Sequence, residues 1–228
     1  MSATDDLIAA IRGRLVVSCQ ASPGEAMFGP AHMADFARAA QAGGAAAIRA
    51  NGSADVVAVR RATGLPVIAI EKRWSPDTPC YITPTVADGR RLVAAGAAAV
   101  ATDGTGARRP DGEDLAAFVA ALHQLGVPVM ADVATAEQGL AAAAAGCDLL
   151  ATTLAGYTPD RPRTVGPDLE LVAALAAACP VPVVAEGRIA SPADARAALA
   201  AGAWAVVVGT AITRPHKVTA AFVAALQA

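Results

Sequence analysis

The chain has 228 residues, of which 55% are hydrophobic, 17% charged and 4% aromatic, and its formal net charge is -2. That length suits one α/β barrel of roughly 200 to 250 residues, with ample apolar material for a large core. There is no basic field to hold nucleic acid or an anionic membrane, and there are too few aromatics for base-stacking platforms.

The stretch Met1–Asp6 is polar and acidic and lacks the charged-then-apolar order of a secretory signal. Apolar runs further on are broken by Gly, Pro or charge before about 18 positions, so a cytoplasmic protein without a membrane span is expected. Residues 5–12 read as a short helix, and the segment 1–13 is expected to cover a barrel bottom. Eight runs rich in Val, Ile or Ala then follow at 14–20, 46–51, 66–72, 98–105, 128–133, 149–156, 182–188 and 205–212. Ala/Leu-rich segments of helical period stand between them at 31–42, 86–95, 115–125, 134–145, 169–178 and 191–201. Gly43, Gly96, Gly126, Gly146 and Gly202 fall where helices should end, and Ser191-Pro192 is an N-cap followed by proline at the first helical position. Strand–helix units of roughly 25 to 30 residues predict an α/β fold, a single (β/α)8 TIM barrel spanning 1–228 as one domain. An open doubly wound sheet would carry G-x-G-x-x-G after its first strand, where this chain has Gln20-Ala21-Ser22-Pro23.

In such a barrel the active site lies at the C-terminal ends of the strands. Those ends carry Gln20, Arg49 with Asn51, Lys72, Asp103, Asp132, Thr152 or Thr153, Glu186 with Arg188, and Thr210 with Arg214. A barrel without polar function would not need all of these at one rim. Alternation places Val184, Glu186 and Arg188 on one face of the seventh strand. In the third, Ile68, Ile70 and Lys72 share one face and Val67, Ala69 and Glu71 the other. Which face points inward is open, so Lys72 and Glu71 are rivals. Ordinary roles also exist. Arg49 could pair with a neighbouring carboxylate, Lys72 and Glu186 could form an ion pair across the rim, and Asp103 and Asp132 could cap the following helices. Asn51, before Gly52-Ser53, suits turn chemistry. His32, His123 and His216 lie away from the strand ends, and Trp74 and Trp204 read as packing residues.

Many barrels bind phosphate in the loops after strands seven and eight, through backbone N–H groups and a helix N-terminus. Gly187 and Gly209 would admit a close backbone approach there, next to Arg188 and Thr210, and Arg214 could clamp a phosphate in bidentate fashion. Cys19, Cys80, Cys147 and Cys179 are widely spread without a C-x-x-C pair, so no zinc-ligand spacing exists and buried free thiols are expected.

Several segments together resemble the N-acetylmannosamine-6-phosphate 2-epimerases. They are Val17-Ser18-Cys19-Gln20, Ile48-Arg49-Ala50-Asn51-Gly52, Tyr81-Ile82-Thr83-Pro84-Thr85, Arg109-Pro110-Asp111-Gly112, the run Thr152 to Thr158, Ala185-Glu186-Gly187-Arg188-Ile189 and the run Val208 to Pro215. They occur in order and span nearly the whole chain. The resemblance implies a barrel that interconverts N-acetylmannosamine 6-phosphate and N-acetylglucosamine 6-phosphate without a redox cofactor, in amino-sugar and sialic acid catabolism. It implies Lys72 as the catalytic lysine, over Glu71, with Glu186 as its acidic partner. Substrate contacts fall on Gln20, Arg49, Asp132 and Thr153, and phosphate contacts on Arg214 and the backbone near Gly156, Gly187 and Gly209. Glu71 stands where the family usually has an apolar residue, and 74–79 differs from the usual loop.

Epimerisation at C2 removes a proton next to the C1 carbonyl of the open-chain sugar and returns one to the opposite face. Lysine is a poor base at neutral pH unless desolvation or Arg49 lowers its pKa, and Glu186 must be held protonated by burial to act as the acid. Arg49 or Gln20 could stabilise the enolate. The expected partner is a small phosphorylated amino sugar, with a homodimer left open. Alternatives are another phosphosugar isomerase or lyase, a non-catalytic sugar-phosphate sensor on the same scaffold, and a Schiff-base lysine.

Overall fold

Each β-branched run is too short to bury both its faces alone. A computed structural model, which describes residues 3–227, closes all of them into one parallel barrel. The strands are β1 (Leu15–Cys19), β2 (Ala47–Asn51), β3 (Val67–Ile70), β4 (Ala99–Asp103), β5 (Val129–Asp132), β6 (Leu149–Ala151), β7 (Val183–Glu186) and β8 (Ala205–Val208). They pair in sequence order, and Leu15 of β1 opposite Val206 of β8 closes the ring. Around it lie α1 (Ala3–Ile11), α2 (Pro30–Ala42), α3 (Ser53–Thr63), α4 (Val86–Ala94), α5 (Leu115–His123), α6 (Ala136–Ala144), α7 (Leu169–Ala178) and α8 (Pro192–Ala200), followed by α9 (Thr210–Thr213) and α10 (Pro215–Gln227). Among the described residues no helix is long and apolar enough to cross a membrane. The expected spans 1–13 and 1–228 reach residues 1, 2 and 228, which lie outside the described ones.

Strand alternation divides the core in two. Val16, Ile68, Ile70, Met130, Leu149 and Val184 fill the barrel, while Val17, Ile48, Val67, Val100, Val129 and Leu150 pack outward on the helices. Ile68, Ile70, Met130 and Leu149 are essentially fully buried, each contributing about 2 kcal/mol by area transfer. At the bottom, Leu7 and Ile11 of α1 join the interior cluster. Trp204 Nε1 donates to the carbonyl of Ile8 at 2.8 Å, and Arg12 lies 4.5 Å over its ring. Trp204 thus packs, as expected.

Element ends depart from expectation for local reasons. Thr135 caps α6 in a reciprocal box with Gln138, so that helix starts at Ala136 rather than 134. A 3-10 turn over Thr152–Leu154 ends β6 at Ala151. Gly43 follows α2 but keeps right-handed geometry, and the left-handed turn falls on Gly44, φ 91°. The helix α3 has no counterpart among the segments named above, while α9 and α10 supply the helix expected after Gly209-Thr210-Ala211. The Cys19, Cys80, Cys147 and Cys179 thiols are free.

Candidate active site

The interior parity of β2, β5 and β7 ends in Arg49, Asp132 and Glu186, each two residues past an interior side chain (Ala47, Met130 and Val184). Arg49 extends from β2 across the top of the barrel. Its Nη2 donates to Asp132 Oδ2 and its Nη1 to Glu186 Oε2, and Nη1 also reaches Thr153 Oγ1 at 3.2 Å. Thr153 Oγ1 lies 2.6 Å from Asp132 Oδ1 and 3.2 Å from Glu186 Oε2, so its single proton is shared between two carboxylates. The side chains of Arg49 and Asp132 are 1% and 0% exposed and that of Glu186 13%. Thr152 fixes the Glu186 backbone, accepting from its N–H at 3.1 Å and donating to its carbonyl at 3.0 Å.

The rivalry on β3 resolves by parity. Ile68 and Ile70 lie in the interior cluster, Val67 and Ala69 in the outer one. Lys72 continues the inner row and bridges to Ile82 in a hairpin beyond the strand end. Glu71 continues the outer row. It meets Arg91, Asp88 and Arg73 on the helix side, where burial pushes its carboxyl up. Lys72 is exposed at the barrel mouth. Desolvation lowers its pKa below the ordinary lysine range, and Arg49 lowers it further against the opposing fields of Glu186 and Asp132. Glu186 shifts the other way. Burial raises its pKa, Asp132 adds to the rise, and Arg49 and Lys72 oppose it. Burial opposes the Arg49 charge, but Asp132 and Glu186 more than offset that and keep it protonated. No Lys72–Glu186 ion pair forms among the described residues; the Glu186 carboxylate is engaged by Arg49 instead.

Asn51 has a role beyond its turn. Its Oδ1 accepts from the Lys72 backbone N–H at 2.9 Å. Gln20 sits beyond β1 with its amide donating to Ser18 Oγ at 2.8 Å. The expected capping by Asp103 and Asp132 does not occur. Asp114 caps α5 and Thr135 caps α6, Asp132 is committed to Arg49, and Asp103 accepts from the N–H and hydroxyl of Thr105.

On the β7–β8–β1 side, Gly187 has φ 112°, and a Cβ at Gly209 would stand 3.3 Å from Ser18 Cβ. Thr210 opens α9 and is exposed. Arg214 donates to Gln20 O at 3.2 Å, Ser22 Oγ at 3.3 Å and Glu25 Oε1 at 2.8 Å, which ties the loop after β1 to the end of β8. Arg188, expected beside the phosphate, has protein partners in the neighbouring loop. Gly187 and Arg188, with φ 112° and 55°, turn the chain off strand alternation. The Arg188 guanidinium then donates to Gly166 O, Ala155 O and Thr164 Oγ1 at 3.0, 2.7 and 2.9 Å. It braces the loop after β6, which includes Gly156. His123 contacts Asp148, His216 stands 3.8 Å from Glu25, and neither joins the Arg49 cluster. Trp74 is not core packing: it is 77% exposed and stacked on Tyr81 at 3.9 Å. Among the described residues no group of His, Cys, Asp and Glu could hold a metal ion.

Comparison with known proteins adds independent findings. Residues 33–228 match the family model described as "Putative N-acetylmannosamine-6-phosphate epimerase". A protein of Cutibacterium acnes named "Putative N-acetylmannosamine-6-phosphate 2-epimerase" is 50% identical over 227 residues, covering 98% of each chain. One of the same name from Caldanaerobacter subterraneus subsp. tengcongensis is 47% identical over 221 residues, covering 96% of this chain and 93% of that one. The solved N-acetylmannosamine-6-phosphate 2-epimerase from Clostridium perfringens superposes with a TM-score of 0.93 at 40% identity, covering 95% of each chain. The chain belongs to the N-acetylmannosamine-6-phosphate 2-epimerase family.

Proposed function

We propose that this protein interconverts N-acetylmannosamine 6-phosphate and N-acetylglucosamine 6-phosphate by moving protons at C2. The observation that carries the reading is the convergence of Lys72 from the β3 hairpin and Glu186 from β7 on one cluster around Arg49. In the open-chain sugar the C2 proton is acidified by the C1 aldehyde. Neutral Lys72 takes that proton, and the C2–H electron pair moves into the C1–C2 bond to form an enolate. Protonated Glu186 returns a proton to the opposite face of C2. The lysine ends as ammonium and the glutamate as carboxylate, and proton exchange with solvent at the open mouth resets both. The reverse reaction exchanges the two roles.

The environment suits this cycle. A lowered lysine pKa and a raised carboxyl pKa both enlarge the fraction in which base and acid are neutral near pH 7. Arg49 supplies fixed positive charge where the enolate oxygen develops, without reorganising at the moment of reaction. Its Nε is buried and has no hydrogen-bond partner. Gln20, Asp132 and Thr153 contact the sugar, with Gln20 offering an amide beside the same mouth. The phosphate is placed against Arg214, Gly187, Gly209 and Thr210, with Gly156 in the neighbouring loop. Binding energy from that remote group orients C2 between Lys72 and Glu186. A phosphate ester does not cross a bilayer unaided, so this reading implies action in the cytoplasm.

Incubation with N-acetylmannosamine 6-phosphate in deuterated water, followed by proton NMR, tests the proposal. N-acetylglucosamine 6-phosphate carrying deuterium at C2 is expected. Binding with a raised Tm but unchanged sugar would identify a sensor instead.

A further inference from the structure

Thr83 is fully buried and β-branched, yet its φ is 42°, in the left-handed region where such side chains carry strain. That geometry persists only when its surroundings over-determine it. The Thr83 N–H donates to Glu71 O at 2.8 Å, and its hydroxyl accepts from Glu71 N–H at 3.1 Å and donates to Ala101 O at 2.6 Å. Its carbonyl accepts from Thr102 Oγ1 at 3.0 Å and Arg109 Nη1 at 3.3 Å. Arg109 also donates to Pro84 O at 3.3 Å, to Thr102 Oγ1 at 3.1 Å and to Asp103 O at 2.8 Å.

Arg109 is 4% exposed, lies 4.7 Å over the ring of Phe118, and has no ion-pair partner within 4.0 Å among the described residues. A desolvated guanidinium without a carboxylate is a poor stabiliser, so its use lies in what it holds. It holds residues 83 and 84, directly after the return arm of the hairpin that starts at Lys72. Lys72 bridges to Ile82, and the Arg73 N–H donates to Tyr81 O at 2.8 Å.

We propose that Arg109 and Thr83 form a positioning clamp for Lys72, acting through this hairpin to fix the ammonium opposite Glu186. The inference rests on the reading of Lys72 as the base. Neither residue touches the substrate. Their geometry sets where the Lys72 backbone leaves β3, while Asn51 holds its N–H from the other side. The charged groups that face Lys72 are Arg49, Glu186, Asp132 and Arg214, and the clamp fixes its distance from all four.

The test compares Arg109→Lys, which keeps the cation and loses the planar fork, with Thr83→Gly, which relieves the φ strain and removes the hydroxyl. In each variant kcat is expected to fall roughly 10- to 100-fold while KM stays within about threefold. The limb of the kcat/KM profile that reports loss of the Lys72 proton should move to higher pH as a looser ammonium regains water. Thr83→Ser, which keeps the hydroxyl, should rescue both readouts. A fall in kcat with an unmoved limb reports lost folded enzyme and overturns the clamp, as does wild-type turnover in Thr83→Gly. Should Arg109→Lys not fold, Thr83→Gly and Thr83→Ser decide alone. Full activity of Lys72→Ala, or no epimerisation by the wild-type protein, would instead overturn the reading of the site itself.

Discussion

Arg49 on β2 donates through Nη2 to Oδ2 of Asp132 on β5, so one guanidinium spans the barrel top and binds a carboxylate three strands away. A second carboxylate, Glu186, lies on Nη1. Removing the cation strands two desolvated acids. Arg49→Met is therefore expected to lower stability by about 3 kcal/mol at pH 7. Without the guanidinium, the Glu186 pKa, already raised by burial, loses the charge that opposed the rise and stands further above its unfolded value near 4. The penalty is then present above the folded value and fades once pH falls below the unfolded one. Urea denaturation at pH 7 and pH 4, read against wild type at each pH, checks this. An equal loss at both would assign the effect to packing instead. Activity should fall by about 100- to 1000-fold.

The opposite shifts on Lys72 and Glu186 make a kinetic prediction. The proposed cycle needs Lys72 neutral and Glu186 protonated, so kcat/KM is expected to follow a bell whose limbs belong to the pair. In Glu186→Gln, turnover should drop by about 100-fold or more, and the residue of activity should show one limb, rising with pH as Lys72 loses its proton. Deuterium should still enter C2 of one epimer. In Lys72→Ala, exchange should survive only in the other epimer. If either variant loses exchange from both epimers alike, one group handles both faces.

The barrel and much of this site were legible in the sequence because both follow from alternation and strand-end position. Val184-x-Glu186 and Ile68-x-Ile70-x-Lys72 already placed the proposed acid and base on defined rows, although the inward face of β3 needed the closed ring. The partners of Arg188 were not legible because alternation stops at Gly187, whose positive φ no pattern of hydrophobicity reports. Asp132 and Asp103 looked like helix caps because Thr135 and Asp114, the groups that do cap, stand further on in the loops. The Arg109 and Thr83 contacts escaped notice for a different reason. They link residues 26 apart through carbonyl oxygens, and backbone acceptors leave no mark on side-chain chemistry. The Arg109-Pro110-Asp111-Gly112 segment was the available signal.

On the helix side of β3, Asp55 and Glu71 form a second electrostatic feature outside the reaction. Burial, then the field of Glu71, pushes the Asp55 carboxyl up to about 6. Its folded pKa thus exceeds the unfolded value of 3.8, and the ionised carboxylate destabilises the fold above about pH 6. Below about pH 4 both states are protonated and the effect is gone. Asp55→Asn should stabilise the protein at pH 7.5 by about 1 kcal/mol, after discounting for solvent screening of a half-buried group. The gain should vanish at pH 4. A variant whose gain is the same at both pH values would place the effect in helix propensity.

Arg214 uses its guanidinium to tie Gln20 O, Ser22 Oγ and Glu25 Oε1 together, which fixes its plane beside the β7–β8 loops. If the same group receives the phosphate, Arg214→Met should raise KM for the phosphosugar roughly 10- to 100-fold, the worth of charge-assisted hydrogen bonds, with a much smaller change in kcat. Inorganic phosphate should compete with substrate in the wild-type protein and lose that power in the variant. Undiminished competition would move the phosphate elsewhere on the rim.

Gly156 tests the loop that Arg188 braces. Its φ is 74°, and a Cβ there would stand 2.7 Å from Arg163 Cα, closer than backbone can tolerate. Gly106 offers a matched control, with φ 81° and nothing within 4 Å of the added atom. Both alanine variants incur the left-handed strain of about 1 kcal/mol, and only Gly156→Ala must also displace the 155–166 loop. That loop is bonded to Arg188 through Ala155 O and Gly166 O. The displacement therefore reaches the Glu186-Gly187 turn, which carries the proposed acid and part of the proposed phosphate site. Gly156→Ala is expected to lose about 1 to 2 kcal/mol more than Gly106→Ala in urea denaturation and to raise KM several-fold more. Equal behaviour of the two variants would mean that the loop moves without transmitting its shift to β7.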